Sequence, residues 1–158
     1  MKTISLNKFL KCYSTLVLLF FLHISHAKRD EVTDTAKVTA TFESFSNTKL
    51  TVADFKNLLA KNPLVKVKDQ KGNIYQVISF EVMWKRKDIS DDEKTGKPKT
   101  VFYTVGATLN GNQFSKEWIN EFTNYIKAGE QLFFDTILYF DPNKKANYKA
   151  PGFVITIQ

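Results

Sequence analysis

The chain of 158 residues fits one domain, and its 14 Phe residues supply enough apolar volume for a hydrophobic core. The formal net charge of +7 comes from 23 basic and 16 acidic residues, and the basic residues are spread along the chain rather than gathered in a nucleic-acid patch. The only Cys is Cys12 and the only His are His23 and His26, so loss of the first 27 residues would exclude thiol chemistry, disulfides and His-ligated zinc.

The N-terminal residues have the three parts of a secretory signal. Lys2, Lys8 and Lys11 precede an apolar run at residues 16–22 (LVLLFFL), and small residues stand at Ser25 and Ala27. The run is shorter than the roughly 20 residues of a membrane span. The pattern predicts a signal peptide at residues 1–27, cut after Ala27, with a retained N-terminal anchor as the alternative.

Cleavage at that point would deliver the protein to the periplasm or the exterior without a permanent membrane span. The remainder would carry 20 basic and 16 acidic residues, a net charge of +4. Residues 28–36 are polar and lack a pattern, which predicts a flexible leader. The folded domain is therefore expected at residues 37–158, held by its core without disulfides.

The first half of this domain has strand and helix patterns. Residues 38–45 (VTATFESF) alternate, which is typical of a half-buried strand. Thr51 is a candidate N-cap, and Asp54 completes a capping box for a short helix. The apolar stripe of that helix comprises Phe55, Leu58 and Leu59.

Two further strands are predicted at residues 64–68 and 74–87, joined by a turn with Gly72. In the longer strand one alternating set is almost wholly apolar and is expected to face the core: Ile74, Gln76, Ile78, Phe80, Val82 and Trp84. A charged loop is predicted at residues 88–99. The next strand, residues 100–105, places Phe102 and Tyr103 on opposite faces.

The last part of the chain begins with a capped helix. Ser115 is the N-cap, the apolar face runs to Ile126, and Gly129 suits the left-handed position that ends the helix. Aromatic and β-branched residues predict strands at residues 131–140 and 153–158. The total is about seven strands and two short helices in strand connections. This pattern favours a mainly β fold, an antiparallel β-sandwich, over a βαβ fold.

Several short motifs occur in an order that resembles a known family. They are VISF at residues 77–80, GNQFS at 111–115, KAGE at 127–130, FFDTI at 133–137, DPN at 141–143 and PGF at 151–153. Their order is similar to the C-terminal domain of GldM, the periplasmic motor component of gliding motility and type IX secretion in Bacteroidetes. The resemblance implies an immunoglobulin-like β-sandwich that docks a protein partner in the cell envelope.

The chain departs from that family in two respects. It has room for one domain, whereas the motor protein adds a membrane helix and several periplasmic domains; we therefore expect it to keep at most the docking part of the function. The DPN turn also lacks the Gly of the family's usual turn.

We accordingly predict a non-enzymatic protein-binding module of the periplasm or cell envelope, linked by resemblance to gliding motility or type IX secretion, with no cofactor or metal. The alternative is a secreted ligand- or carbohydrate-binding module that uses exposed aromatic residues. Tyr75, Tyr103, Tyr139 and Tyr148 are its candidates, because Trp84 and Trp118 are expected to pack in the core.

Two candidate partner-binding segments stand out. Lys85, Arg86 and Lys87 flank a hairpin loop and would meet an acidic partner, or would only keep the loop soluble. The apolar terminal strand contains Phe153, Ile155 and Ile157 and no charged residue that would block strand addition. It is expected to offer an open edge to a partner's strand.

The remaining candidates are acidic. The cluster at residues 91–93 is either a cation-binding loop or a solvated loop, and the surrounding lysines favour the solvated loop. Glu130 and Asp135 have the chemistry of a glycosidase pair, but a structural role for the turn and strand that carry them is the favoured interpretation.

Overall fold

The computed structural model describes residues 38–158, all in one compact unit, so the predicted signal peptide and leader lie outside the described residues. The described strands and helices, in chain order, are β1 (Val38–Phe42), β2 (Thr48–Leu50), α1 (Val52–Leu59), β3 (Val65–Asp69), β4 (Ile74–Asp91), β5 (Pro98–Asn110), α2 (Lys116–Tyr125), β6 (Gln131–Asp141), β7 (Ala146–Ala150) and β8 (Phe153–Ile157). The predictions of a mainly β fold and of two helices in strand connections are confirmed.

The strands form a single curled sheet. Its order is β1-β3-β4-β6-β8-β2, with β5 paired to β4 and β7 paired to β6. Every pair is antiparallel except β2 with β8, so the expectation of a wholly antiparallel sheet is wrong at that pair. Helix α1, which follows β2, and the long path through β3 to β7 separate these two strands in the sequence, which allows them to lie parallel.

A bulge in the pairing of β4 with β6 contributes to the curl of the sheet. The register between the two strands shifts on either side of Ser79, and Thr136 in β6 has a positive φ of 45°. Such a bulge adds a residue, bends the strand and reverses which side chains point inward. Val77 is therefore buried while Ile74 is 68% exposed, so the predicted inward set was right for Phe80 and the residues after it and wrong before the bulge.

The core lies inside the curl and is rich in aromatic rings. Phe134 of β6 stacks on Phe153 with ring centroids 4.4 Å apart, and its ring lies 5.3 Å from that of Phe42. Phe122 connects the two helices and the sheet, since its ring lies 5.8 Å from Phe55 and 5.0 Å from Trp84. All six of these aromatic side chains are at most 3% exposed. The helices therefore pack on the inner face of the sheet.

The predicted helix N-caps are confirmed. The Thr51 hydroxyl accepts a hydrogen bond from the Asp54 N–H at 3.0 Å and donates one to the Asp54 carboxylate at 2.7 Å. The Ser115 hydroxyl accepts from the Trp118 N–H at 3.4 Å. Ile126 was predicted to lie inside helix α2, but the helix ends at Tyr125. The backbone of Ile126 is extended, and its side chain is buried in the core.

The charged loop is much shorter than predicted. Strands β4 and β5 stay paired over thirteen residues each without a register shift, and the Asp92 N–H donates to the Lys97 carbonyl at 2.9 Å to close the turn. Strand β6 accompanies β4 only as far as Lys85. Residues 86–103 therefore extend past the main sheet as a two-stranded hairpin, which we name the β4–β5 arm.

Helices long and apolar enough to cross a membrane do not occur among residues 38–158.

Candidate protein-binding surface

The basic run Lys85, Arg86 and Lys87 lies in strand β4, within the strand predicted at residues 74–87. Because successive residues of a strand point to opposite faces, Arg86 shares the face of Trp84, and the two lysines lie on the other face. The three charges therefore do not point the same way, as one shared surface for an acidic partner would require. Lys85 instead lies over the ring of Phe102, with 5.1 Å between its ammonium nitrogen and the ring centroid.

Arg86 is surrounded by aromatic rings. Its guanidinium carbon lies 4.3 Å from the ring centroid of Trp84, 5.5 Å from that of Tyr103 and 5.6 Å from that of Tyr125. Tyr103 is its direct partner across the β4–β5 ladder. Its Nη1 atom lies 3.8 Å from a carboxylate oxygen of Glu121. Cation–π attraction on three sides holds the guanidinium in place, and its side chain stays 22% exposed.

A groove of about 240 Å³ runs between this part of the sheet and helix α2. The sheet contributes Trp84, Arg86 and Val105, and the helix contributes Glu117, Trp118 and Glu121. At its margin Tyr103 is 40% and Tyr125 is 50% exposed. We call the residues that form this groove and margin the Arg86 surface: Trp84, Arg86, Tyr103, Val105, Glu117, Trp118, Glu121 and Tyr125.

The electrostatics of the groove are mixed. Arg86 supplies the positive charge on the sheet side, and two carboxylates face it from the helix. A hydrogen bond with the Ser115 hydroxyl holds the pKa of Glu117 below its ordinary value, so this carboxylate is negatively charged at neutral pH. A ligand in the groove therefore meets donors from the guanidinium, acceptors from the carboxylates and apolar ring surface.

Glu130 fixes the floor of the Arg86 surface. Its side chain is 1% exposed, yet both carboxylate oxygens accept hydrogen bonds. The Trp84 indole N–H donates at 2.8 Å, the Lys127 N–H at 3.0 Å and the Lys87 N–H at 2.9 Å. The last bond continues the β4 ladder beyond the end of β6. This carboxylate thus orients the indole on which Arg86 stacks.

Sequence reasoning did not find this role of Glu130, although the residue was singled out. The signal in the sequence was a carboxylate that directly follows Gly129, which takes a positive φ, and directly precedes an apolar strand. Its companion Asp135 lies at the β6 bulge, where the Thr136 N–H donates to it at 2.6 Å and Lys149 lies 3.3 Å away. These contacts lower the pKa of Asp135, with the Thr136 N–H as the leading cause.

The terminal strand has no open edge. Strand β8 pairs with β6 on one side and with the short strand β2 on the other. Its residues Phe153, Ile155 and Ile157 are 3%, 0% and 1% exposed. The predicted edge site is wrong because β2, three residues long and unrecognised in the sequence, covers that edge. Strand β5 instead has an edge that no other strand of residues 38–158 pairs with.

The tyrosines divide between core and surface. Tyr103 is exposed as predicted, whereas Tyr139 is 2% exposed and packs 5.1 Å from the ring of Tyr75. Both line a cleft of about 380 Å³ with Asp69 and Asp141. Partial burial, together with the Asp69 carboxylate 3.3 Å away, raises the pKa of the Tyr75 hydroxyl. Trp84 is buried as predicted.

The acidic cluster at residues 91–93 lies at the end of β4 and in the turn that follows it. The Asp92 carboxylate accepts the N–H groups of Lys94 and Thr95, each at 3.0 Å, and lies 3.3 Å from the Lys99 ammonium. Those bonds lower the pKa of Asp92, chiefly through the Thr95 N–H. Within residues 38–158, no group of three or more acidic, His or Cys side chains is placed to hold a metal ion.

Comparison of the chain with protein-family models, curated proteins and solved structures finds no match. The assignment of function therefore rests on the site and on the sequence resemblance.

Proposed function

We propose that this chain is a protein-binding module of the cell envelope, and that its partner docks on the Arg86 surface. The observation that carries the proposal is the cluster of half-exposed Tyr103 and Tyr125 around Arg86. Tyrosine, tryptophan and arginine are the residues that contribute most binding energy in protein interfaces. This cluster combines all three beside a groove.

The contacts of the surface favour tight docking at low entropic cost. Arg86 is already held by three rings, and the indole beneath it is fixed by Glu130. A partner therefore has few side chains to immobilise on binding. An apolar side chain of the partner would fill the groove, and a neighbouring acidic or carbonyl group would accept from the remaining guanidinium N–H groups.

The cellular location and the family relation are part of the same proposal. The N-terminal pattern supports delivery to the periplasm or the exterior, and the motif order supports a relation to the GldM C-terminal domain. We infer that the fold is a stand-alone relative of that immunoglobulin-like domain, and that the partner is a gliding or type IX secretion component. The curled sheet with an aromatic core is compatible with such a sandwich.

Capture from the cell envelope tests the proposal. The tagged protein is incubated with detergent-solubilised envelope of the organism that produces it, and bound proteins are identified. Wild-type protein is expected to enrich one envelope protein, and Arg86→Glu is expected to lose it. Retention of the same partner by Arg86→Glu at wild-type affinity would refute docking on this surface.

The chain offers a charge-matched control for that variant. Lys87→Glu changes the net charge equally but lies on the opposite face of β4. Docking on the Arg86 surface predicts that only Arg86→Glu loses the partner. Equal loss with both variants would show attraction by overall charge instead. Thermal unfolding of both variants confirms that each is folded.

The same surface supports a second candidate function, carbohydrate binding. Sugar sites pair aromatic rings, which stack on sugar faces, with carboxylates that accept from hydroxyl groups. Trp118 and Tyr125 provide the rings, and Glu117 and Glu121 provide the carboxylates. A glycan array separates the two functions, because only carbohydrate binding predicts hits that Trp118→Ala abolishes.

A further inference from the structure

The outer edge of β5 is the longest exposed backbone edge in the described part of the chain. The strand has thirteen residues and pairs with β4 alone among the strands of residues 38–158. Edge strands are commonly guarded by bulges, by prolines or by charged side chains. Here the register with β4 is unbroken, and Pro98 and Lys99 occur only at the end near the turn.

The hydrogen bonds at the two ends of the ladder show which backbone groups face outward. The Gly111 N–H donates to the Ile78 carbonyl at 2.6 Å, and the Asp92 N–H donates to the Lys97 carbonyl at 2.9 Å. Because the register is continuous between these ends, the odd-numbered residues of β5 bond to β4. Apart from Pro98, which has no N–H, the residues of β5 with outward N–H and carbonyl groups are Thr100, Phe102, Thr104, Gly106, Thr108 and Asn110.

All six outward residues are exposed, and none is charged. A strand added to this edge would meet alternating donors and acceptors without desolvating an ionised side chain. The edge is therefore suited to a strand with few charges that is rich in Thr and aromatic residues, and β5, whose one charged residue is Lys99 near the turn, has that composition.

We propose that β5 pairs antiparallel with β5 of a second copy of this chain, on a two-fold axis through Thr104. Residue 104 is the midpoint of the strand, so this register pairs all thirteen residues of each copy. It places outward groups opposite outward groups along the whole length, as a continuous ladder requires. The two copies share one sheet, and their arms point in opposite directions.

The side chains agree with this register. Phe102 of each copy lies opposite Gly106 of the other, where the ring covers a position without a side chain. A Cβ added at Gly106 would lie 2.8 Å from the Val82 carbonyl oxygen and 3.2 Å from Met83 Cγ, so the contacts with β4 hold this position to glycine.

The other cross-strand pairs are equally compatible. Thr100 lies opposite Thr108, and Tyr103 lies opposite Val105, both favourable pairings in antiparallel sheets. Lys99 lies opposite the apolar Leu109, so like charges do not meet along the ladder. Tyr103 and Val105 also belong to the Arg86 surface, but the proposed ladder is formed by the outward backbone groups of the even-numbered residues of β5, so the inference does not rest on partner docking.

Analytical ultracentrifugation of the protein, as its host processes it, tests the proposal. Wild-type protein is expected to show a concentration-dependent dimer at up to about 1 mM. The Thr104 N–H faces away from β4, so Thr104→Pro keeps the monomer ladder intact. It is expected to weaken the dimer at least about ten-fold, because the bonds on the axis are lost.

A charge exchange tests the register itself. Residue 104 meets its own copy only in this register, so Thr104→Lys and Thr104→Glu should each weaken the dimer about five-fold, and an equimolar mixture should restore it. The same two changes at exposed Thr39 of β1 serve as the control and are expected to have no effect.

A wild-type protein that stays monomeric throughout the concentration range overturns the proposal. A dimer that tolerates Thr104→Pro, or a mixture of the charged variants that shows no recovery, also overturns it. If Thr104→Pro does not fold, the charged variants alone decide. Thr104 lies outside the Arg86 surface, so Thr104→Lys and Thr104→Glu are expected to retain the envelope partner, which keeps this test separate from partner docking.

Discussion

Substitution of Glu130 tests how much a single buried side chain contributes to the stability of the fold, because its carboxylate accepts three hydrogen bonds. In Glu130→Ala the N–H groups of Trp84, Lys87 and Lys127 lose their acceptor within a nearly closed environment. Each unsatisfied buried donor costs about 1–3 kcal/mol, and the losses are less than additive within one network. We expect a destabilisation of about 3–6 kcal/mol.

Glu130→Gln separates the number of acceptors from the volume of the side chain. The amide oxygen can still serve Trp84 and Lys127, which share one carboxylate oxygen, while the amide NH2 would face the Lys87 N–H. Two donors then oppose each other, and we expect a loss of about 1–3 kcal/mol. The expected order of stability is wild type, Glu130→Gln, Glu130→Ala.

Urea unfolding followed by tryptophan fluorescence measures both losses. The control is Glu121→Ala, whose half-exposed side chain makes one ion pair at 3.8 Å and is expected to change stability by about 0.5 kcal/mol or less. A domain with a total stability of about 5–15 kcal/mol would be severely weakened by Glu130→Ala. If the free energy of unfolding of Glu130→Ala lies within about 1 kcal/mol of the wild-type value, the anchoring role is refuted.

Three further predictions follow from individual contacts. Thr51→Ala removes the α1 cap and should cost about 1 kcal/mol in urea unfolding, which Thr51→Ser should restore. Gly152→Ala would place a Cβ 2.6 Å from the Phe134 carbonyl oxygen, so we expect a loss of about 2 kcal/mol or more; an unchanged melting temperature would contradict that close approach. The hydrogen bond from Lys66 lowers the pKa of Glu43 in the folded state. Its contribution is therefore present above the unfolded-state pKa of roughly 4.3 and lost as the pH falls through the lower folded value, and Glu43→Gln should flatten this part of the melting-temperature profile.

Local signals in the sequence identified elements whose residues interact with near neighbours. The caps at Thr51 and Ser115 satisfy N–H groups three residues away, so a short segment contains all the information needed. The burial of Phe122 and Trp84 also follows from local periodicity within one helix and one strand. These predictions succeeded because the physics that decides them acts over a few residues.

The errors have a common origin in pairing between distant segments. The inward face of β4 changes at a bulge, and this bulge depends on the register of β4 with β6. The two strands are about 55 residues apart in the sequence, as the hydrogen bond from the Thr136 hydroxyl to the Glu81 carboxylate shows. The edge of β8 is closed by β2, about 107 residues earlier, as the bond from Val154 to Asn47 shows. Neither arrangement leaves a signal in the local composition of the strand concerned.

The candidate site shows the same division. The basic run and the tyrosines were visible in the sequence, but strand alternation in β4 separates Arg86 from its charged neighbours. Only the tertiary structure brings Tyr125, from helix α2, beside Tyr103 and Arg86. The sequence identifies Glu130 as a carboxylate. Only the structure shows that it accepts hydrogen bonds from three N–H groups, two of them from the distant strand β4.

The sequence by itself therefore determined the kinds of element, their caps and the aromatic content of the core, because propensity and periodicity act along the chain. The tertiary structure alone decided which edge of the sheet is covered, which face each side chain takes after a bulge, and which charges meet. Those outcomes depend on contacts between segments far apart in the sequence, whose free energy no single segment encodes.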